Sequence, residues 1–292
     1  MDEHAAREAP ATSRTSSRAT RRGASETRER GNLRAWKEIL VVVGIYLVYS
    51  TVRNRFGSAG GPAGHANGIA YGHALDVIQF ERTIGLYVER TLQDWYLGLP
   101  AHGLIQVWNV FYGTAHFVIT AAALVWLFVR DPSRYPRMRN TLALTTLLAL
   151  IGFAAFSLMP PRLIDKSPDD FGPPAAAQAD HTGFVDTLDE FPTFWSFDSG
   201  GLRKISNQYA AMPSLHIGWA TWSALVLFPL VRRRWARILV ASYPFVTLFC
   251  IVVTANHFWL DAAAGLATLA AGYVIAGRIA AWFDQRRLRA AT

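Results

Sequence analysis

The chain has 292 residues, 51% hydrophobic and 17% charged, with a formal net charge of +8 at pH 7. Its apolar residues are gathered into blocks separated by Arg-rich or Pro-rich stretches, the layout of a multispanning membrane protein. The single cysteine, Cys250, lies inside an apolar block, which excludes an intramolecular disulfide and a cysteine metal cluster.

Residues 1–35 are rich in Arg, Ser, Thr and Glu and poor in large apolar side chains, so they are expected to form a disordered cytoplasmic tail. Arg21-Arg22 is similar to a twin-arginine export signal, but no apolar region follows within a dozen residues, so the tail is expected to remain uncleaved. Six apolar stretches then approach the about 20 residues that a helix needs to cross the hydrocarbon. They run from Trp36 to Val52, Leu104 to Val129, Thr141 to Met159, Ser214 to Val231, Ile238 to Val253 and Phe258 to Phe283. The expected fold is therefore all-α, a polytopic membrane bundle of six transmembrane helices. Residues 36–283 form the membrane domain and 284–292 a cytoplasmic basic tail.

Charge orients the bundle. Twenty-one of the 29 basic residues fall in the stretch up to Lys37, in Arg130 to Arg139, in Arg232 to Arg237 and in Arg278 to Arg289. These are alternate connections, so the positive-inside rule puts both termini in the cytoplasm. The loops 53–102 and 160–213 hold 8 basic and 12 acidic residues and are expected to face outward. This alternation reads the net positive charge as a topology signal and leaves no nucleic-acid partner to infer.

The outer loops carry more than connections. Residues 73–100 place His73, Asp76, Glu81, Arg82, Glu89 and Arg90 among apolar positions at helical spacing, which predicts an interfacial helix lying on the membrane. The second loop holds Phe184, Phe191, Phe194, Trp195 and Phe197, suited to the interface or to a lid over a lipid site.

Two segments at the outer ends of predicted helices carry chemistry, Pro213-Ser214-Leu215-His216 and Asn256-His257-Phe258-Trp259-Leu260-Asp261. His257 and Asp261 are four residues apart, so they share a helix face where the carboxylate can accept an imidazole proton. That bond would fix the tautomer and support the cation formed when the other nitrogen attacks phosphorus. His216 could protonate a leaving alcohol, and Ser214 with the free N–H groups of its helix start could cradle phosphate oxygens. Tyr112 and His116, in the outer half of the second span, could line the site or bond between helices. The same residues admit two other readings: a transporter or channel relaying protons or binding an anion through His116, His216, His257 and Asp261, and a zinc hydrolase with His216, His257 and Asp261 as ligands.

At these residues the chain resembles the type 2 phosphatidic acid phosphatase superfamily. Its second motif, Pro-Ser-Gly-His, is matched by Pro213-Ser214-Leu215-His216, and its third ends His-x-x-x-Asp, matched by His257 and Asp261. The stretch Asn207-Gln208-Tyr209-Ala210-Ala211-Met212, with Asn256, looks most like the branch of inositol phosphorylceramide synthases. The resemblance runs from about Trp36 to Phe283. It implies catalysis by His257, Asp261 and His216 through a phosphohistidine, without a metal or other cofactor. It also implies a phosphate or substrate site drawn from Ser214, Arg162, Asn256, Asn207, Tyr112 and His116, and a lipid phosphate substrate in the bilayer. No feature designates a protein partner. Water as acceptor would give a phosphatase, and a lipid or polyol hydroxyl a phosphotransferase.

The sequence also departs from the pattern. Cys250 and Ile251 stand where the third motif usually begins Ser-Arg, Leu215 replaces a glycine, and the first motif, Lys-x6-Arg-Pro, is absent in that form. Pro161-Arg162 occupies about the place of the first motif, so Arg162 is the leading substitute for the lost phosphate grip, its guanidinium being able to bind two phosphate oxygens at once. Arg53, Arg55, Arg82, Arg203 and Lys204 are the other outward cations.

Overall fold

The computed structural model describes residues 35–55, 63–168, 171–175, 182–193 and 207–290. Among them the chain folds as α1 (Ala35–Arg55), α2 (Ala63–Thr83), α3 (Glu89–Leu97), α4 (Ile105–Arg130), α5 (Tyr135–Ala155), α6 (Thr187–Glu190), α7 (Leu215–Leu227), α8 (Arg234–Val253) and α9 (Trp259–Ala290), with 3-10 turns at Pro100–Leu104 and Pro161–Leu163. The expected tail lies outside the described residues. So do Phe194, Trp195, Phe197, Arg203, Lys204 and the side chains of Arg53 and Arg55.

Among the described residues, four segments are long and apolar enough to cross a membrane: Pro100–Arg130, Tyr135–Ala155, Arg234–Val253 and Trp259–Ala290. The other two expected spans form α1 and α7. Helix α7 has 13 residues, about 20 Å at the α-helical rise, which is short of the ~30 Å hydrocarbon thickness. Helix α1 has 21 residues, with Lys37 and Glu38 in its first turn, and Glu38 pairs with Arg139 of α5. Arg286, Arg287 and Arg289, expected in a tail, instead belong to the last turns of α9. Large apolar side chains such as Val118, Val125, Phe245 and Val274 are exposed on the long helices, a surface suited to hydrocarbon rather than water.

The connections Asp131–Arg134 and Phe228–Arg233 gather the arginine clusters at one end of the bundle, while α7 and α9 begin at the other. Helix α9 packs most extensively on α5, and α7 touches α4, α5, α8 and α9. Small residues permit this. A Cβ on Gly272 would come within 2.6 Å of Thr145 Oγ1, and one on Gly265 within 2.3 Å of the Ser214 carbonyl oxygen. The buried hydroxyls of Thr141, Thr145 and Thr146 donate to carbonyls four residues back, so α5 presents polar residues to its neighbours without unmet donors.

The predicted interfacial helix over 73–100 is two helices, α2 and α3. The chain turns at Gly85, whose φ of +72° suits a residue lacking Cβ. Their apolar faces are buried: Ala70, Tyr71, Ala74, Val77 and Ile78 of α2 join Leu158, Met159, Leu163, Ile164, Tyr209 and Phe258 in one cluster. Backbone bonds stitch this cap together, from Leu158 to Tyr209 (2.9 Å), Met159 to Ala70 (3.1 Å) and Arg162 to Ala255 (2.8 Å).

Candidate active site

Helix α8 ends at Val253, and a tight turn reverses the chain into α9. Thr254 and Ala255 donate back to Cys250 and Val252, and Asn256 and His257 both donate to the Ile251 carbonyl at 3.0 and 3.1 Å. Ala255 takes φ +51°, a left-handed conformation costly for a residue with a Cβ. The turn delivers His257 to the first residues of α9, where its Nδ1 lies 3.1 Å from Asp261 Oδ2. The same oxygen accepts the Phe258 amide at 3.1 Å. His257 and Asp261 are both buried.

The second histidine comes from α7. The Ser214 amide donates to the Asp261 carbonyl at 2.9 Å, which pins the start of α7 on the start of α9 and sets His216 Nδ1 3.3 Å from His257 Nε2. The three groups thus form a line, Asp261 to His257 to His216, rather than converging on one point as ligands of a single ion would. With Asp261 accepting the Nδ1 proton, His257 Nε2 carries the lone pair, directed toward His216.

Helix α4 closes the site. The Tyr112 ring stacks on His216 with centroids 4.4 Å apart, and His116 meets His216 edge-on at 4.2 Å while its Nδ1 lies 3.0 Å from the Tyr112 carbonyl. Tyr112, His116, His216, His257 and Asp261 are therefore brought together. Ser214 is buried at the N-terminus of α7, and its hydroxyl has no hydrogen-bond partner among the described residues.

The remaining expected residues surround this group less directly. The Asn256 side-chain amide bonds to Thr254 at its hydroxyl and carbonyl, so it stabilises the turn. Asn207 Oδ1 accepts the Tyr209 amide at 2.9 Å, within the cap. Arg162 is buried with its backbone fastened to Ala255, two residues before His257. Its guanidinium reaches Asp186 at 3.2 Å and Gln208 at 2.6 Å. Lys166 lies 3.6 Å from the same Asp186 carboxylate.

Cys250 and Ile251, which replace the usual Ser-Arg, are buried. Cys250 Sγ lies 3.3 Å from the Trp108 carbonyl, and Ile251 packs with Ile217, Val252 and Ala262. An apolar cluster occupies the place where an arginine would be expected.

The charge pattern alone does not reveal Glu81 and Glu89. Read as charged positions of an interfacial helix, both are fully buried. Glu89 accepts the Trp259 amide and Glu81 the Leu260 amide, at 3.0 and 3.2 Å. Burial foremost, then the nearby Glu89, pushes the Glu81 carboxyl up to about 9. Their spacing of eight residues across the Gly85 turn is a cue in hindsight, but an exposed charged face reads the same.

A model of the PAP2 superfamily, the type 2 phosphatidic acid phosphatases, matches residues 75–275. The chain belongs to this superfamily. Its members are in general phosphoric ester hydrolases, and the apolar helices fit a membrane phosphatase. Searches of curated proteins and of solved structures return no match.

Proposed function

We propose that this PAP2-superfamily protein hydrolyses or transfers phosphate esters of lipids through a phosphohistidine on His257, at the extracytoplasmic face of the cell membrane. The observation that carries the reading is the line from Asp261 Oδ2 to His257 Nδ1 (3.1 Å) and from His257 Nε2 to His216 Nδ1 (3.3 Å). Asp261 holds the tautomer and offsets the imidazolium as His257 Nε2 bonds to phosphorus. His216 gives its proton to the departing alkoxide, then accepts one from the water or alcohol that takes the phosphoryl group. A phosphate entering between the two rings would replace their mutual contact, and Ser214 with the first amides of α7 would meet its oxygens. Arg162 and Tyr112 complete the substrate site in this reading, with His116, Asn207 and Asn256 behind them.

The arginine alternation supports six membrane crossings, with α1 and α7 completing the four long spans and both termini inside. Transfer of an inositol-phosphate-type headgroup is the branch supported by the Asn207–Met212 stretch.

The test is purified full-length protein with a panel of lipid phosphates and phosphodiesters, following free phosphate, new lipid products and acid-labile phosphate on the protein. His257→Ala, with an unchanged melting temperature, should show neither turnover nor label. Normal turnover in that well-folded variant would overturn the mechanism.

A further inference from the structure

The start of α9 is held by two acids that the reaction itself does not use. Glu81 lies in the last turn of α2 and Glu89 in the first turn of α3, and the intervening hairpin is closed by bonds from Leu86 to Glu81 (2.8 Å) and from Gly85 to Arg82 (3.1 Å). Glu89 Oε1 accepts the Trp259 amide, and its Oε2 accepts the Val88 amide at 3.0 Å. Glu81 Oε1 accepts the Leu260 amide. The Trp259 indole donates to Leu86 at 2.8 Å, securing the same turn from the side. The bound amides are those of the two residues preceding Asp261, at the point where a helix has no carbonyls of its own to receive them.

Two full negative charges buried side by side would repel strongly, so the pair is stable when it shares a proton. Both Glu89 oxygens already accept backbone amides, whereas the buried Glu81 Oε2 has no partner among the described residues. The pair's proton is therefore assigned to Glu81 at neutral pH, in keeping with a carboxyl that burial and the nearby Glu89 push up to about 9. The other titratable groups facing the pair are Asp261 at the start of α9, and Tyr87 and Arg82 on the hairpin, where Arg82 lies over the Tyr87 ring at 4.9 Å.

We propose that Glu81 and Glu89 are positioning residues, two buried carboxyls that lock the first turn of α9 through the Leu260 and Trp259 amides and so aim the Asp261 carboxylate at His257. The inference rests on the proposed chemistry of His257. It adds a requirement for the proton count of a pair that never touches substrate. Loss of the shared proton would place a second charge against Asp261 and loosen the grip on the Leu260 amide.

The experiment uses the full chain in detergent micelles containing dioctanoyl phosphatidic acid or dioctanoyl phosphatidylinositol, with initial rates measured from pH 6 to 10. Glu81→Ala should lower kcat roughly 10- to 100-fold, the effect of an ångström-scale misplacement, with KM changed by less than about 2-fold. Glu81→Gln keeps an acceptor for Leu260 and a donor toward Glu89. It should restore kcat to within about 3-fold of wild type, and it should abolish the decline in kcat expected of wild type as pH rises through about 9. If Glu81→Gln retains the same alkaline decline as wild type, or if Glu81→Ala folds and matches wild type in kcat, the positioning role is wrong. Should Glu81→Ala fail to fold, the comparison of Glu81→Gln with wild type still decides. If wild type and both variants show no His257-dependent turnover of either lipid, while the phosphohistidine label is also missing, the proposed function is what has failed. A label that appears in wild type and weakens in Glu81→Ala supports the pair even without turnover.

Discussion

Gly265→Ala is the substitution most directly set by the geometry. Gly265 lies on α9, four residues after Asp261, facing the start of α7. The added methyl would stand 2.3 Å from the Ser214 carbonyl oxygen, 3.2 Å from its carbonyl carbon and 3.4 Å from its nitrogen. All three are backbone atoms, so no rotamer change relieves the overlap. Restoring ordinary contact needs about 1 Å of separation between α7 and α9. That motion strains the 2.9 Å bond from Ser214 to Asp261 and lengthens the His216 to His257 contact. Overpacking of this kind costs about 1–3 kcal/mol, and the gain of alanine over glycine in a helix returns about 1 kcal/mol, so the melting temperature should fall only slightly. Turnover should drop roughly 100-fold, since an ångström of misalignment between reacting groups costs about that much. Thermal unfolding in detergent and initial rates on the same preparation check both halves. A variant with wild-type turnover would show that the approach of α7 to α9 does not set the histidine geometry.

Three further outcomes follow from the same coordinates. Arg162→Ala leaves the Asp186 carboxylate, with a side chain 2% exposed, short of its buried partner. Loss of one member of a buried pair costs about 3–5 kcal/mol, and Lys166 at 3.6 Å should hold the loss toward the lower end; the double variant Arg162→Ala/Asp186→Asn should recover part of it, read by thermal unfolding. Ala255→Gly removes the Cβ from a left-handed residue at φ +51° and should stabilise the chain by up to about 1 kcal/mol, the cost of that conformation for an L-residue; a lower melting temperature would contradict the strained turn. Glu81, raised from 4.5 to about 9 in the folded chain, binds its proton more tightly there than when unfolded. Its contribution is fully present below pH 4.5 and is lost as pH rises through about 9. Melting temperatures should decline across that window in wild type, and Glu81→Gln should flatten the decline.

That the candidate site residues lie together was legible because the signals are local. His257 and Asp261 meet at the i, i+4 spacing that any helix start enforces, and His216 is placed by the same Pro-Ser entry to α7 that the family motif records. Tyr112 and His116 were visible as polar interruptions of an apolar run. What escaped was set by contacts distant in sequence. Whether Glu81 is a solvated charge or a buried acid depends on Leu260, 179 positions away, and no periodicity within 73–100 encodes that partner. The lengths of the spans were also misread. The apolar run Ser214–Val231 exceeds the helix it forms: α7 ends at Leu227, with Phe228 as its cap, and Pro229, which cannot extend a helix, is the local stop signal inside the run.

The lost third-motif arginine is better understood with the cap in view. In its place Ile251 fills an apolar cluster, yet its carbonyl still receives the Asn256 and His257 amides. The position thus holds the turn through its carbonyl and brings no charge to the site. A phosphate at His257 would then depend on cations from elsewhere, and Arg162 is tied by its own amide to Ala255 in the same turn. Asp186 already offsets much of its charge, so the proposed grip is weaker in charge than a free arginine and firmer in position. Such a site gains little from a doubly charged phosphate monoester over a singly charged diester. That balance predicts faster turnover of phosphodiesters than of phosphate monoesters. The ratio of diester to monoester turnover on one preparation measures it, and a strong preference for monoesters would contradict it.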